Sequence, residues 1–180
     1  MKPIYVMALG SLFYLPAKAQ TFMTRNGKIN FYSKTSLEDI RAENRQVVAA
    51  IDLGKKTVAL TLLQKNFLFA KQLMQDHYNE NYVESDKFPK AQFTGTITGE
   101  VGTAPGIYKV QISGNLTLHG VTKPVSAPAE LELTDGKLTG KADFKVKPSD
   151  FDIKIPSLVK DKIASEITVQ VLAACTALSK

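Results

Sequence analysis

The 180-residue chain carries a formal net charge of +6, with 44% hydrophobic and 22% charged residues; that balance argues against a disordered chain and a multispan membrane protein, and suits one globular unit with a sizeable core. Cys175 is the only cysteine, so no intrachain disulfide can form and the fold must stand on its core. The lysines are spread over alternating positions instead of clustering with exposed aromatics, which speaks against nucleic acid as a partner.

Residues 1–19 read as a secretory signal peptide. Lys2 supplies a minimal basic start, residues 4–15 are apolar, and Ala17-Lys18-Ala19 has the small-x-small spacing of a cleavage site, which would leave Gln20 first and a domain over 20–180. The apolar run is shorter than the roughly 20 residues that cross a bilayer. No later stretch approaches that length, so the body is not expected to be an integral membrane protein. The expected setting is the periplasm or the exterior.

Beyond the leader, period-2 patterning dominates, the mark of strands with one face in a core. Strands are predicted near 29–33, 46–52, 57–63 and 65–70. Residues 71–83 break the alternation: Leu73, Met74, His77, Tyr78 and Tyr82 fall near helical spacing, which predicts one short helix across a barrel mouth or side. In the following link Pro89 disfavours helical geometry at Phe88 and sends the chain out extended.

Strands are expected again over 91–99 and 108–118, then a turn at His119-Gly120. Over 125–134, Val125, Ala127, Ala129, Leu131 and Leu133 point inward, and Asp135-Gly136 supplies turn chemistry. Pro128 within this run marks an edge, a bulge or a barrel end, because proline donates nothing to a ladder. The cleanest alternation lies at 137–147, with Leu138, Gly140, Ala142, Phe144 and Val146 on one face and lysines on most of the other. Residues 148–161 read as a loop with buried apolar anchors and a helical turn, before a last strand near 165–175. About eight strands suit an all-β antiparallel barrel, the number at which an up-and-down sheet closes; a sandwich stays open on the pattern alone.

Three blocks are distinctive: Asp76-His77-Tyr78-Asn79-Glu80-Asn81-Tyr82 running on to Phe93, Gly114-Asn115-Leu116-Thr117-Leu118-His119-Gly120-Val121-Thr122-Lys123-Pro124-Val125, and Phe144 through Ser149-Asp150-Phe151 to Pro156. With these blocks the chain resembles the YceI-like family. The resemblance implies a lipocalin-like barrel with an apolar channel, a periplasmic or secreted setting, and an apolar isoprenoid ligand, either a polyisoprenoid or an isoprenoid quinone. The opening strand departs from the family's usual pattern, with Ile29-Asn30-Phe31-Tyr32-Ser33-Lys34 in place of a strand-borne histidine and a glycine-phenylalanine stretch.

An isoprenoid channel requires inward apolar and aromatic side chains on several strands, since its affinity comes from burying hydrocarbon. The candidates are Phe67, Phe69, Leu73, Met74 and Tyr78 from one region, Phe93 and Ile97 from a second, Tyr108 and Leu116 from a third, and Phe144. Gly114, Gly140, Ala127, Ala129 and Ala142 are small inward positions that leave room. The same residues would equally fill an ordinary barrel core, which leaves a ligand-free interaction or stress-associated barrel as the alternative. Only His77 and His119 are histidines, and no G-x-S-x-G elbow, H-E-x-x-H, phosphate loop or dinucleotide fingerprint is present. Neither catalysis, a metal nor a cofactor is expected, and the sequence sets no oligomeric state.

Overall fold

The computed structural model describes residues 21–178. Their strands are β1 (Thr21–Lys34), β2 (Asp39–Asp52), β3 (Thr57–Leu63), the two-residue β4 (Leu68–Phe69), β5 (Lys90–Thr98), β6 (Gly106–Leu118), β7 (Val121–Thr134), β8 (Lys137–Val146) and β9 (Ile167–Ala177). The eight long strands pair antiparallel in the order β1-β9-β8-β7-β6-β5-β3-β2, and β2 pairs back to β1, closing the ring. This is the expected all-β antiparallel barrel with one short helix, and the β1–β2 pairing decides against the sandwich that the pattern left open. In β8, Leu138 and Gly140 are buried while Lys137, Lys141, Asp143 and Lys145 are exposed, so the expected register holds.

The first two strands are far longer than the sequence pattern suggests, because each changes phase within its length. In β1 Phe22 points inward from an even position, whereas Gly27 and Ser33 are buried at odd ones; the register with β2 shifts on both sides of Gly27. In β2 the buried set moves from Ala42 and Asn44 to Val47, Ala49 and Ile51. An extra residue in one strand flips every later side chain to the other face. Asn44, fully buried, fixes the irregularity: its Nδ2 donates to the Leu63 carbonyl and its Oδ1 accepts from the Gln46 N–H, both at 2.9 Å.

One end of the barrel is solid. Phe22, Ile51, Val58, Ile97, Leu131, Leu133, Leu138 and Cys175 pack there, each no more than 6% exposed. Gly95 and Gly114 face each other across β5 and β6. A Cβ on Gly114 would overlap the Thr94 carbonyl oxygen and the Gly95 Cα, so this glycine serves close strand approach and does not make room as expected.

The other end is covered by two irregular segments. The predicted 65–70 strand is instead a 3-10 turn, Gln64–Asn66, closed by the Phe67 N–H donating to the Gln64 carbonyl at 3.2 Å and followed by β4 paired with Ala42 and Glu43. Helix α1 (Gln72–His77) runs into a π-helical turn, Tyr78–Tyr82, whose last bond takes the Val83 N–H to the Tyr78 carbonyl at 2.9 Å. Six α-helical residues are too few to be stable alone, so docking against the barrel holds them. The second cover, between β8 and β9, contains 3-10 turns Pro148–Phe151 and Ser157–Lys162.

The seam between β7 and β8 closes only part of the way. Their pairing runs from Thr134–Lys137 to Ala129–Ala142 and stops, while β7 continues to pair with β6 through Pro128 and Pro124 without a register shift. An unbroken ladder on the β6 side places the missing proline N–H groups on the β8 side, where the pairing has ended.

Candidate functional site: an apolar cavity under the covered end

The barrel interior is hollow from its middle to the covered end. A space of about 110 Å³ in the middle lies among Ala49, Ala91, Ala127, Gly140, Ala142 and Ala173, small residues that leave the diameter unfilled. Toward the covered end it meets a larger cavity of about 430 Å³, and Ile29, Leu62, Ala91, Leu116 and Phe144 line both. Together they form an elongated apolar interior of the size that holds a small-molecule ligand.

The structure brings Phe67, Phe69, Leu73, Met74, Tyr78, Leu116 and Phe144 to the larger cavity, and Phe93 to the middle space. It does not bring Ile97 or Tyr108 there. Ile97 is buried in the solid end, and Tyr108 packs against the same core with its hydroxyl donating to the Ala104 carbonyl at 2.6 Å. Both share a strand face with true lining residues, Phe93 and Leu116, but lie four and eight positions further along. At about 3.3 Å per residue, eight positions is most of the barrel's height. Alternation assigns a face; it does not assign a level.

Several lining residues were not among the candidates: Phe31, Ile40, Ile153, Ile155, Val159, Ile163 and Val169. Phe31 is central. Its ring lies 5.2 to 5.6 Å from those of Phe67, Phe69 and Tyr78, and Tyr78 in turn touches both phenylalanines. The signal for it was the alternation of Ile29, Phe31 and Ser33, inside the stretch that departs from the family's usual opening. The others sit mostly in the irregular 148–163 segment, which has no period to read.

Few polar groups face this interior. Burial pushes the Tyr78 phenol above its ordinary range, so it stays protonated and donates to Gln64 Oε1 at 2.7 Å. Gln64 is 1% exposed, and its Nε2 has no partner among the described residues. At the rim stand Ser33, Glu38, Lys71, His77 and Lys162. Lys71 Nζ meets Glu38 at 3.3 Å, linking α1 to the β1–β2 turn, and the Ala164 N–H donates to Ser33 Oγ at 2.8 Å, linking the second cover to β1. The Lys87 ammonium lies over the Phe88 ring, 4.9 Å from its centroid. Among the described residues no three His, Cys, Asp or Glu side chains gather as a metal site would require.

The model of the YceI-like domain matches residues 17–174. The chain belongs to the YceI-like family. The protein YceI of Shigella flexneri is 38% identical over 80 residues, 41% of this chain and 39% of that protein. That of Salmonella arizonae is 42% identical over 73 residues, 37% of this chain and 36% of that protein, so the matched stretch spans less than half the length of these curated relatives. Among solved structures, a polyisoprenoid-binding domain from Saccharophagus degradans superposes with a TM-score of 0.76 at 14% identity, over 89% of this chain and all of that one. Burkholderia cenocepacia BcnA gives 0.72 at 18%, over 83% of this chain and 96% of that one. At such identities the likeness is one of fold.

The three blocks that carry the YceI-like resemblance meet at a single side chain. His119 and Gly120, both at positive φ, form the β6–β7 turn. The His119 ring contacts Glu84 Oε2 through Nε2 at 2.7 Å and the Phe151 carbonyl through Nδ1 at 3.0 Å, while Phe88 stacks edge-on at 4.6 Å. Hydrogen bonding from His119 is the main cause holding the Glu84 carboxyl below its ordinary range. The first block thus contributes Glu84 and Phe88, the third the Phe151 carbonyl and the second His119 itself, so one turn of the barrel fastens both cover segments. The role is structural.

Proposed function

We propose that this YceI-like chain binds an apolar isoprenoid-type lipid, a polyisoprenoid or an isoprenoid quinone, in the barrel interior, and catalyses no reaction. The single observation that carries this is the 430 Å³ apolar cavity, which shares five lining residues with the small-residue space of the barrel middle. A branched hydrocarbon chain offers no hydrogen bond, and the interior asks for almost none. Burial is worth about 0.8 kcal/mol per CH2, so one five-carbon isoprene unit is worth about 4 kcal/mol before ordering costs. The fold shared with a domain described as polyisoprenoid-binding supports the choice of chain. Gln64 Nε2, a buried donor on a lining residue with no partner among the described residues, suits a ligand oxygen such as a quinone carbonyl.

The proposed setting is the periplasm or the exterior, after removal of residues 1–19, a segment outside the described residues. No helix among the described residues is long and apolar enough to cross a membrane. N-terminal sequencing of exported material should begin at Gln20. Delipidated protein titrated with an isoprenoid quinone should bind saturably, and protein purified from its own source should carry a lipid adduct in native mass spectrometry. Absence of saturable binding to both quinones and polyprenyl chains would establish the ligand-free barrel instead.

A further inference from the structure

Three buried side-chain polar atoms have no hydrogen-bond partner among the described residues: Asn30 Oδ1, Gln64 Nε2 and Asn79 Oδ1. Of their residues only Gln64 lines a cavity wall. A donor kept from water with nothing to donate to carries a desolvation cost that a ligand oxygen would remove. Every other polar group of Gln64 is engaged. Its backbone N–H donates to the Pro89 carbonyl at 2.9 Å, its carbonyl accepts from the Phe67 N–H at 3.2 Å, and its Oε1 accepts from the Tyr78 hydroxyl at 2.7 Å. Tyr78 is itself wedged among Phe31, Phe67 and Phe69, with ring centroids 5.1 to 5.7 Å away.

The hydroxyl fixes which end of the amide faces the ligand. With Oε1 toward Tyr78 the phenol proton has an acceptor; with the amide reversed it would have none among the described residues. The side chain therefore presents the cavity with a donor and keeps its acceptor for Tyr78. A carbonyl oxygen accepts without bringing a proton, so it satisfies this arrangement completely. A hydrocarbon leaves Nε2 unpaired, and an alcohol brings a hydroxyl proton that competes with Tyr78 for Oε1. We propose that Gln64 is the specificity-determining residue of the cavity, donating its Nε2–H to a carbonyl oxygen on the isoprenoid, and that Tyr78 is the positioning residue that holds the amide in this orientation. Leu62, two positions earlier, borders both the larger cavity and the middle space, whereas Gln64 borders the larger one alone. The carbonyl end is then seated under the covers, with the hydrocarbon chain directed toward the small residues of the barrel middle. This rests on the lipid-binding function proposed above and adds how one isoprenoid is told from another.

Farnesylacetone, a ketone, and farnesene, a hydrocarbon, are isoprenoid probes with and without the carbonyl. Replacing Gln64→Leu and Tyr78→Phe together removes both partners of the pair and strands neither, so the barrel should still fold. Delipidated double variant should bind farnesylacetone about tenfold more weakly than the parent does, and farnesene no more weakly. Comparing each probe across the two proteins cancels its own cost of leaving water. Tyr78→Phe alone keeps the ring and frees the amide to turn, so it should narrow the difference in affinity between farnesylacetone and farnesol; a merely structural loss would weaken both alike. The infrared carbonyl stretch of farnesylacetone bound to the parent should lie at lower wavenumber than in hexane, a readout that needs no variant. An unshifted stretch, or no selective loss of the ketone in the double variant, overturns the assignment of Gln64 and leaves lipid binding standing. An unchanged ketone-to-farnesol ratio in Tyr78→Phe overturns the positioning role. Saturable binding of none of the three probes by the parent defeats the lipid-binding function beneath both.

Discussion

Strand β8 allows the hollow interior to be tested against a filled one, because Leu138 and Phe144 lie on the same inward face. Leu138 is fully buried in the solid end, paired across from Cys175. Its replacement by alanine should cost about 2–5 kcal/mol, transfer and cavity terms together. Phe144 is larger, but it already borders both empty stretches, so its removal opens no new void and forfeits only the buried part of the ring. We expect about 1–2 kcal/mol for Phe144→Ala, and less than about 0.5 for the exposed Lys145→Ala. At about 2–4 °C per kcal/mol for a chain of this size, Leu138→Ala should melt near 10 °C below the parent and Phe144→Ala only a few degrees below it. Urea titration gives the same ordering independently. If Phe144→Ala costs as much as Leu138→Ala, the interior is packed at that level and the cavity argument fails; if Lys145→Ala matches Phe144→Ala, the register is wrong.

The Glu84→Gln variant should be less stable than the parent near neutral pH, because a carboxyl depressed by its partner stabilises the fold above its unfolded range. The gap should begin to narrow as pH falls into the ordinary glutamate range and close below it, as pH passes through the lowered folded value, and a pH-independent gap in urea midpoints would contradict the His119 contact. Cys175 is 1% exposed and burial raises its thiol to about 11, so a thiol reagent should react with it only in denaturant; fast labelling of native protein would place it outside the core. Gly114→Ala should prevent accumulation of folded protein, since the atoms it meets are backbone, whereas Gly136→Ala, in open space at φ +72°, should cost about 1 kcal/mol by thermal melting.

Regular alternation is legible without a partner, which is why β8, the inner half of β7 and the closing strand could be placed from sequence. It fails where geometry inserts a residue. The bulges in β1 and β2 break one pattern into two of opposite phase, so the stretches before Ile29 and before Gln46 carried no visible strand signal. The predicted 65–70 strand gave way at its start to a 3-10 turn around the buried, polar Gln64. The candidate site was legible by face and not by height: Phe93 and Leu116 reached the cavity, Ile97 and Tyr108 the solid end. Phe31 was hidden in the stretch that departs from the family pattern, and Ile153 and Val159 in a segment without periodicity.

The half-closed seam between β7 and β8 would ordinarily be a hazard. From Val121 to Pro128 the strand has no ladder partner on its β8 side, where the Pro148–Phe151 turn packs against part of it, and an unpaired edge recruits copies of itself into intermolecular sheets. Pro124 and Pro128 each remove an amide donor from that side, and Lys123 adds a charge between the first of them and the strand's start. A recruited strand would find its ladder interrupted twice within five residues. The opening can thus persist without seeding fibres, and replacing both prolines by threonine should reveal the suppressed self-association as a slow rise in light scattering.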